Sequence, residues 1–179
     1  LTINKINYDM SNVSWNYAGE FTYDGTKKSV LLQNLPSGVS ISSYSDNAKP
    51  NAGSYTASAS FNFDEVNYNA PTVQNLNWTI CKATYDMSNV SWNYAGEFTY
   101  DGTEKSVKLQ NLPNGVSVRV YENNTKTNAG NYTASATSFN FDKVNYNAPA
   151  VQSLNWTINK ATLQNIDFND TTVEYDTME

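Results

Sequence analysis

The run YTASASFNF, Tyr55–Phe63, sets an apolar residue at every odd position and Ser, Thr or Asn at every even one. Successive side chains of a strand point to opposite faces, so this run predicts a strand with one buried and one wet face. It returns as YTASATSFNF at 132–141, one residue longer. There Tyr132, Ala134 and Ala136 keep phase, while the extra residue near Thr137–Ser138 displaces Phe139 and Phe141 by one step. A one-residue slip turns side chains to the opposite face unless it is absorbed, so a β-bulge is predicted at that point.

The recurrence extends well beyond the strand. YDMSNVSWNYAGEFTYDGT from Tyr8 is repeated letter for letter from Tyr85, and Lys5–Ala59 matches Lys82–Ala136 at 42 of 55 positions without a gap. After the insertion, FNFDEVNYNAPTVQNLNWTI from Phe61 answers FNFDKVNYNAPAVQSLNWTI from Phe139. The opening LTIN matches the end of a unit, and the closing LQNIDFNDTTVEYD resembles the start of a third. The expected organisation is a first repeat at 1–81, a second at 82–160 and the beginning of a truncated third at 161–179, as in a segment of a longer array. The run WTICKATYD carries one copy into the next with no Pro-, Gly- or Ser-rich linker, which favours a stiff tandem.

Period-2 alternation continues outward from the central run, and no helical periodicity of useful length is present. Further strands are expected at Val13–Tyr17, Phe21–Tyr23, Val30–Leu32, Val39–Ile41 and Leu76–Ile80, with counterparts 77 or 78 residues on. Turns are expected at Tyr23-Asp-Gly-Thr26, Leu35-Pro-Ser-Gly38 and Asn51-Ala-Gly53, because Asp-Gly supplies a positive φ and proline pre-sets its own. Where the copies differ, Leu31 becomes Lys108 and Ser42 becomes Arg119, both at positions assigned to solvent. The fold class is therefore all-β, with roughly six short strands per unit. Alternation alone leaves a β-grasp and an immunoglobulin-like sandwich both open.

Composition narrows the chemistry. The chain has no histidine and one cysteine, Cys81. The commonest general base, the usual zinc ligand and the Ser-His and Cys-His pairs are thus missing, and one thiol cannot staple the chain or build a thiolate metal site. A net charge of −6 is the wrong sign for nucleic acid or an anionic membrane. No apolar run approaches the ~18 residues of a membrane-spanning helix. No catalytic residue, cofactor or metal is expected.

Several side chains that could carry chemistry also have plainer roles. Asp9, Asp24 and their counterparts Asp86 and Asp101 precede turns, where an aspartate satisfies local backbone amides. Trp15, Trp78, Trp92 and Trp156 lie in phase with Val or Ile and are assigned to the core. Lys28 and Lys105 lie near Glu20 and Glu97 in sequence, as a Lys–Asn amide cross-link would require, but solvated lysines are the simpler reading. Cys81 stands where other units carry Asn4 and Asn159, a position outside the deep core. Tyr44 is out of phase with Val39 and Ile41, so it and Tyr121 are the candidate exposed ligand contacts.

Taken in order, FTYDGT-x-KSV-x-LQNLP-x-GVS, NAG-x-YTASA, NYN and LNWTI-x-KA resemble the mostly beta-grasp (MBG) repeats of bacterial surface proteins, of the type bearing Tyr-Asp-Gly. The resemblance covers both full units. It implies small β-grasp-like domains in tandem, on a secreted or cell-surface adhesin, with no catalytic residues to carry over. The function expected from it is a non-catalytic stalk or spacer projecting an adhesive head, with neighbouring repeats of the same chain as partners. The alternative is a module that binds a host glycan or protein through Tyr44 and Tyr121. Neither nucleic acid nor membrane insertion of this segment is expected. The final Tyr175-Asp176-Thr177 lacks the glycine of the motif.

Overall fold

A computed structural model describes residues 2–164, and the expected third-unit fragment lies largely outside them. The secondary structure is all-β, and no helix is present among the described residues. Contacts divide the chain into two compact units. One comprises Leu1–Val90, Leu112–Ser117 and Phe139–Ala150; the other comprises Ser91–Asn111, Val118–Ser138 and Val151–Glu179. The first unit thus holds the whole first copy together with three segments of the second.

The first copy contributes eight strands: β1 (Ser14–Trp15), β2 (Phe21–Thr22), β3 (Lys28–Ser29), β4 (Leu32–Gln33), β5 (Ser40–Ser45), β6 (Ala48–Lys49), β7 (Gly53–Asn62) and β8 (Leu76–Cys81). A four-stranded sheet runs β2-β8-β7-β5, while β1 pairs with β4 and β3 with β6. β2 lies parallel to β8, the other named strands of this copy pair antiparallel, and an isolated parallel bridge joins Ile6 to Tyr68. The predicted alternation places Ala57 of β7 in the core, with Val30, Trp78 and Ile80 around it, all at 2% exposure or less. Burial of such side chains contributes about 1.5–3 kcal/mol each for the aliphatic and aromatic members. Trp78 keeps its polar edge satisfied by donating from Nε1 to the Asp46 carbonyl at 3.0 Å. Asp46 sits in the left-handed region at φ 52°, which short polar side chains tolerate.

The second copy contributes β9 (Ser91–Trp92), β10 (Phe98–Thr99), β11 (Lys105–Ser106), β12 (Leu109–Gln110), β13 (Ser117–Glu122), β14 (Thr125–Lys126), β15 (Gly130–Asn140) and β16 (Gln152–Asn159). Its sheet order, β10-β16-β15-β13, repeats the first, again with a parallel pair, β10 with β16. Val107, Ala134, Trp156 and Ile158 form its core. Asn123 replaces Asp46, keeps φ at 52° and accepts the Trp156 indole bond at 3.1 Å.

One expectation needs correction. The run predicted as one strand over Val30–Leu32 is split: β3 pairs with β6 and β4 with β1, and the chain changes partner at Val30 and Leu31. Val30 donates to the Asn47 carbonyl at 2.8 Å, and Leu31 to Asn16 Oδ1 at 2.7 Å. Alternation sees the buried valine and leucine but not the partner switch, and it gave no sign of β6. The longer run in the second copy does break phase where expected, since burial steps from Ala134 and Ala136 to Phe139. A register irregularity also falls in the first copy, between Ile41 and Ser43 on β5. There Ile41 pairs with Phe61 and Tyr44 with Ala59, a step of three residues against two, and Ser42 is the residue left over. Ser42 and its replacement Arg119 are both exposed, as assigned.

Candidate functional site

The polar side chains singled out in the sequence serve the backbone around them. Asp24 Oδ1 accepts from the Thr26 amide at 2.9 Å and its hydroxyl at 2.6 Å, while Lys28 Nζ binds the other oxygen. Asp101, Thr103 and Lys105 repeat the set, with Lys105 at 2.6 Å from Asp101. The lysine bond and then the threonine bonds hold both carboxyls well below the usual carboxylate range. Gly25 at φ 82° supplies the turn's left-handed residue. Asp9 and Asp86 accept from the Ser11 and Ser88 amides and are lowered by those serines. Because Lys28 is engaged by Asp24 and Thr26, and Glu20 by Cys81, the parts of a Lys–Asn cross-link are committed elsewhere.

The tyrosines proposed as exposed contacts are half-buried. Tyr44 packs its ring on Trp15, with centroids 5.8 Å apart, and its hydroxyl accepts from the Leu32 amide at 3.0 Å. Tyr121 does the same with Trp92 and the Leu109 amide. Tyr17 and Tyr94 likewise accept from the Thr79 and Thr157 amides. The sequence reading missed this role because a hydroxyl bond to a distant strand leaves no trace in alternation. Trp15 and Trp92 pack against the core from half-buried positions, whereas Trp78 and Trp156 lie within it, as assigned. Cys81 is half-buried, and its thiol donates to Glu20 at 3.2 Å; that bond, burial and the glutamate's charge push the thiol up. Among the described residues no three His, Cys, Asp or Glu come together as a metal-binding group. An open cleft of about 310 Å³ lies over Tyr132, Trp156 and neighbouring Asn and Thr side chains of β15 and β16, but Thr133 is bonded to Asn155 and Thr157 to Asn131.

One constellation stands apart from local turn chemistry. Among the described residues, Asn145 is the one buried polar side chain, at 7% exposure. Its loop is built by Asp142, whose Oδ1 accepts from the Val144 and Asn145 amides and whose Oδ2 accepts from Asn145 Nδ2 at 2.9 Å. That leaves Asn145 Oδ1 directed at the first copy, where it accepts from the Ala52 amide at 2.8 Å. Nδ2 also reaches Asn51 Oδ1 at 3.4 Å. Tyr146 meets Tyr23 edge-on at 5.5 Å and stacks on Tyr85 at 4.1 Å. A parallel bridge joins Ala83 to Tyr146, with Asn147 donating to the Ala83 carbonyl at 2.8 Å. All these residues belong to the first compact unit. The sequence signal was the Asn-Tyr pair recurring in both copies at positions no core pattern demands; its partners, 93 residues away, were not readable from spacing.

Comparison with known protein families, with curated proteins and with solved structures found no match.

Proposed function

We propose that this chain is a non-catalytic tandem repeat of a bacterial surface or secreted protein, acting as a stalk or spacer for an adhesive head. The observation that carries the reading is the buried Asn145 amide, which ties the second copy's Asp142–Tyr146 loop to the backbone of the first. Exchanged for water on opening, such a bond contributes about 0.5–1.5 kcal/mol to holding the contact. Within the second copy, the Ala83–Tyr146 bridge and the Asn147 bond to the Ala83 carbonyl hold that loop against the segment that follows β8, as Ile6, Tyr68 and Asn69 do in the first. The Asn145 contact suits a module whose task is to hold neighbours in fixed register. The likeness of the sequence to MBG repeats points the same way, and the parallel β2–β8 pair supports a grasp over a sandwich of antiparallel sheets.

Spin-relaxation measurements on the labelled chain test this reading: both copies are expected to report one common rotational diffusion tensor. Independent tumbling of the two copies would remove the spacer. The alternative, a glycan- or host-protein-binding module, rests on Tyr44 and Tyr121. Their engagement by Leu32, Leu109 and the two tryptophans favours a structural role for both. Specific glycan-array binding that disappears with Tyr44→Phe or Tyr121→Phe would reverse that preference.

A further inference from the structure

The surface that receives Asn145 in the first copy has a counterpart in the second. Tyr100, Asn128 and Ala129 stand where Tyr23, Asn51 and Ala52 stand, on the same framework. The Tyr100 amide donates to the Asn159 carbonyl at 2.9 Å, as Tyr23 does to Cys81. Tyr132 Oη donates to the Asn128 carbonyl at 2.8 Å, as Tyr55 does to Asn51. What differs is the cover. Tyr100 is 41% exposed, whereas Tyr23 is half-buried beneath Tyr146. The Ala129 amide has no acceptor among the described residues. An open cleft of about 350 Å³, mostly apolar, is lined by Tyr100, Ala129, Lys160, Ala161 and Leu163.

We propose that the Tyr100–Asn128–Ala129 surface is a docking site for the Asp-x-x-Asn-Tyr loop of a further copy of this unit, its asparagine accepting from the Ala129 amide. The proposal rests on the tandem reading and extends it to a specific site. The occupant follows from the first copy, where that loop covers the same surface, with Asn145 on the Ala52 amide and Tyr146 on Tyr23. The loop is also formed before it docks. In the first copy Asp64 binds the Val66 and Asn67 amides and Asn67 Nδ2, at 2.9, 3.2 and 2.8 Å, although Asn67 is exposed. A preorganised loop meets an open donor at little ordering cost.

The test is amide hydrogen exchange on the 179-residue chain and on the same chain lengthened by repeating Ala83–Lys160 directly after Lys160. In the 179-residue chain Ala52 should be protected and Ala129 should exchange freely. In the lengthened chain Ala129 should slow on the order of tenfold, and Asn145→Ala in the added copy should return it to the original rate. An unchanged Ala129 rate beside a still-protected Ala52 overturns the docking site while leaving the spacer reading intact. Failure of the added copy to fold also counts against the site, because the second copy folds with the same sequence on the equivalent surface. Independent tumbling of the two existing copies would instead sink the spacer reading.

Discussion

The loops Asp64–Tyr68 and Asp142–Tyr146 differ by one residue, Glu65 for Lys143, and share the same internal bonds, yet Asn67 is exposed and Asn145 is buried. Local chemistry therefore fixes the shape of the loop, and the surroundings fix what it does. The tryptophans of the two copies make a complementary contrast. Trp15 donates from Nε1 to the Gln74 carbonyl at 3.0 Å, whereas Trp92 Nε1 is buried with no acceptor among the described residues. The neighbouring ladders differ as well. β15 is one residue longer than β7, and the β15–β16 ladder runs on to Ala136 opposite Gln152, while β7–β8 stops at Ala57 opposite Leu76. Gln152, the counterpart of Gln74, has been drawn into the strand.

The comparison can be broken most sharply at the cores. Trp78→Ala and Trp156→Ala should each cost about 3–5 kcal/mol in denaturant unfolding, and unequal losses would end the equivalence of the two cores. Next, Asn145→Ala should destabilise by about 1 kcal/mol more than Asn67→Ala, because only the former strands the Ala52 amide; equal effects in a pair of urea melts would show that docking adds nothing. Trp15→Phe should cost about 1 kcal/mol more than Trp92→Phe, since the second removes an indole that is already unsatisfied. Calorimetry on the two variants decides it.

The smallest effects are in pH. Cys81 and Asn159 face Glu20 and Glu97 alike, the amide donating at 2.6 Å. The folded thiol titrates above its unfolded value, so its contribution is complete below that value and is lost as pH rises through the folded one. Cys81→Asn should abolish that alkaline loss in pH-dependent melts. Asp24 and Asp101 are lowered, so theirs is present above the unfolded carboxylate value of about 4 and is lost as pH falls. Asp24→Asn together with Asp101→Asn should flatten the acid limb, and an unaltered limb would show the lysine pairs to be energetically idle.

Much of this was legible in the residues. Alternation located the β7 and β8 cores, the exposed Arg119 and the phase break before Phe139, because burial on one face of a strand imposes its period on the sequence. It was silent on partners. The division of Val30–Leu32 between two sheets depends on Asn16 and Asn47, whose side chain and carbonyl reach Leu31 and Val30 from distant segments. Tyr44 was read as exposed because its phase slips at Ser42, and that slip is a property of the pairing with β7 rather than of Tyr44 itself. The Asn145 site was hidden for the same reason: its sequence equals that of Asn67, and only the neighbour distinguishes them.

The parallel closure of each sheet has a bearing on biosynthesis. Phe21 lies beside Ile80 and Phe98 beside Ile158, so the first strand of each sheet waits for the last. On the ribosome Ile80 emerges before Ile158 has been made, and β2 meets its proper mate first. A chain diluted from denaturant offers near-identical β8 and β16 to either suitor at once, and crossed pairing of adjacent repeats is a known route to misassembly. Vectorial synthesis thus gives these twin sequences an order of events that their own letters do not encode.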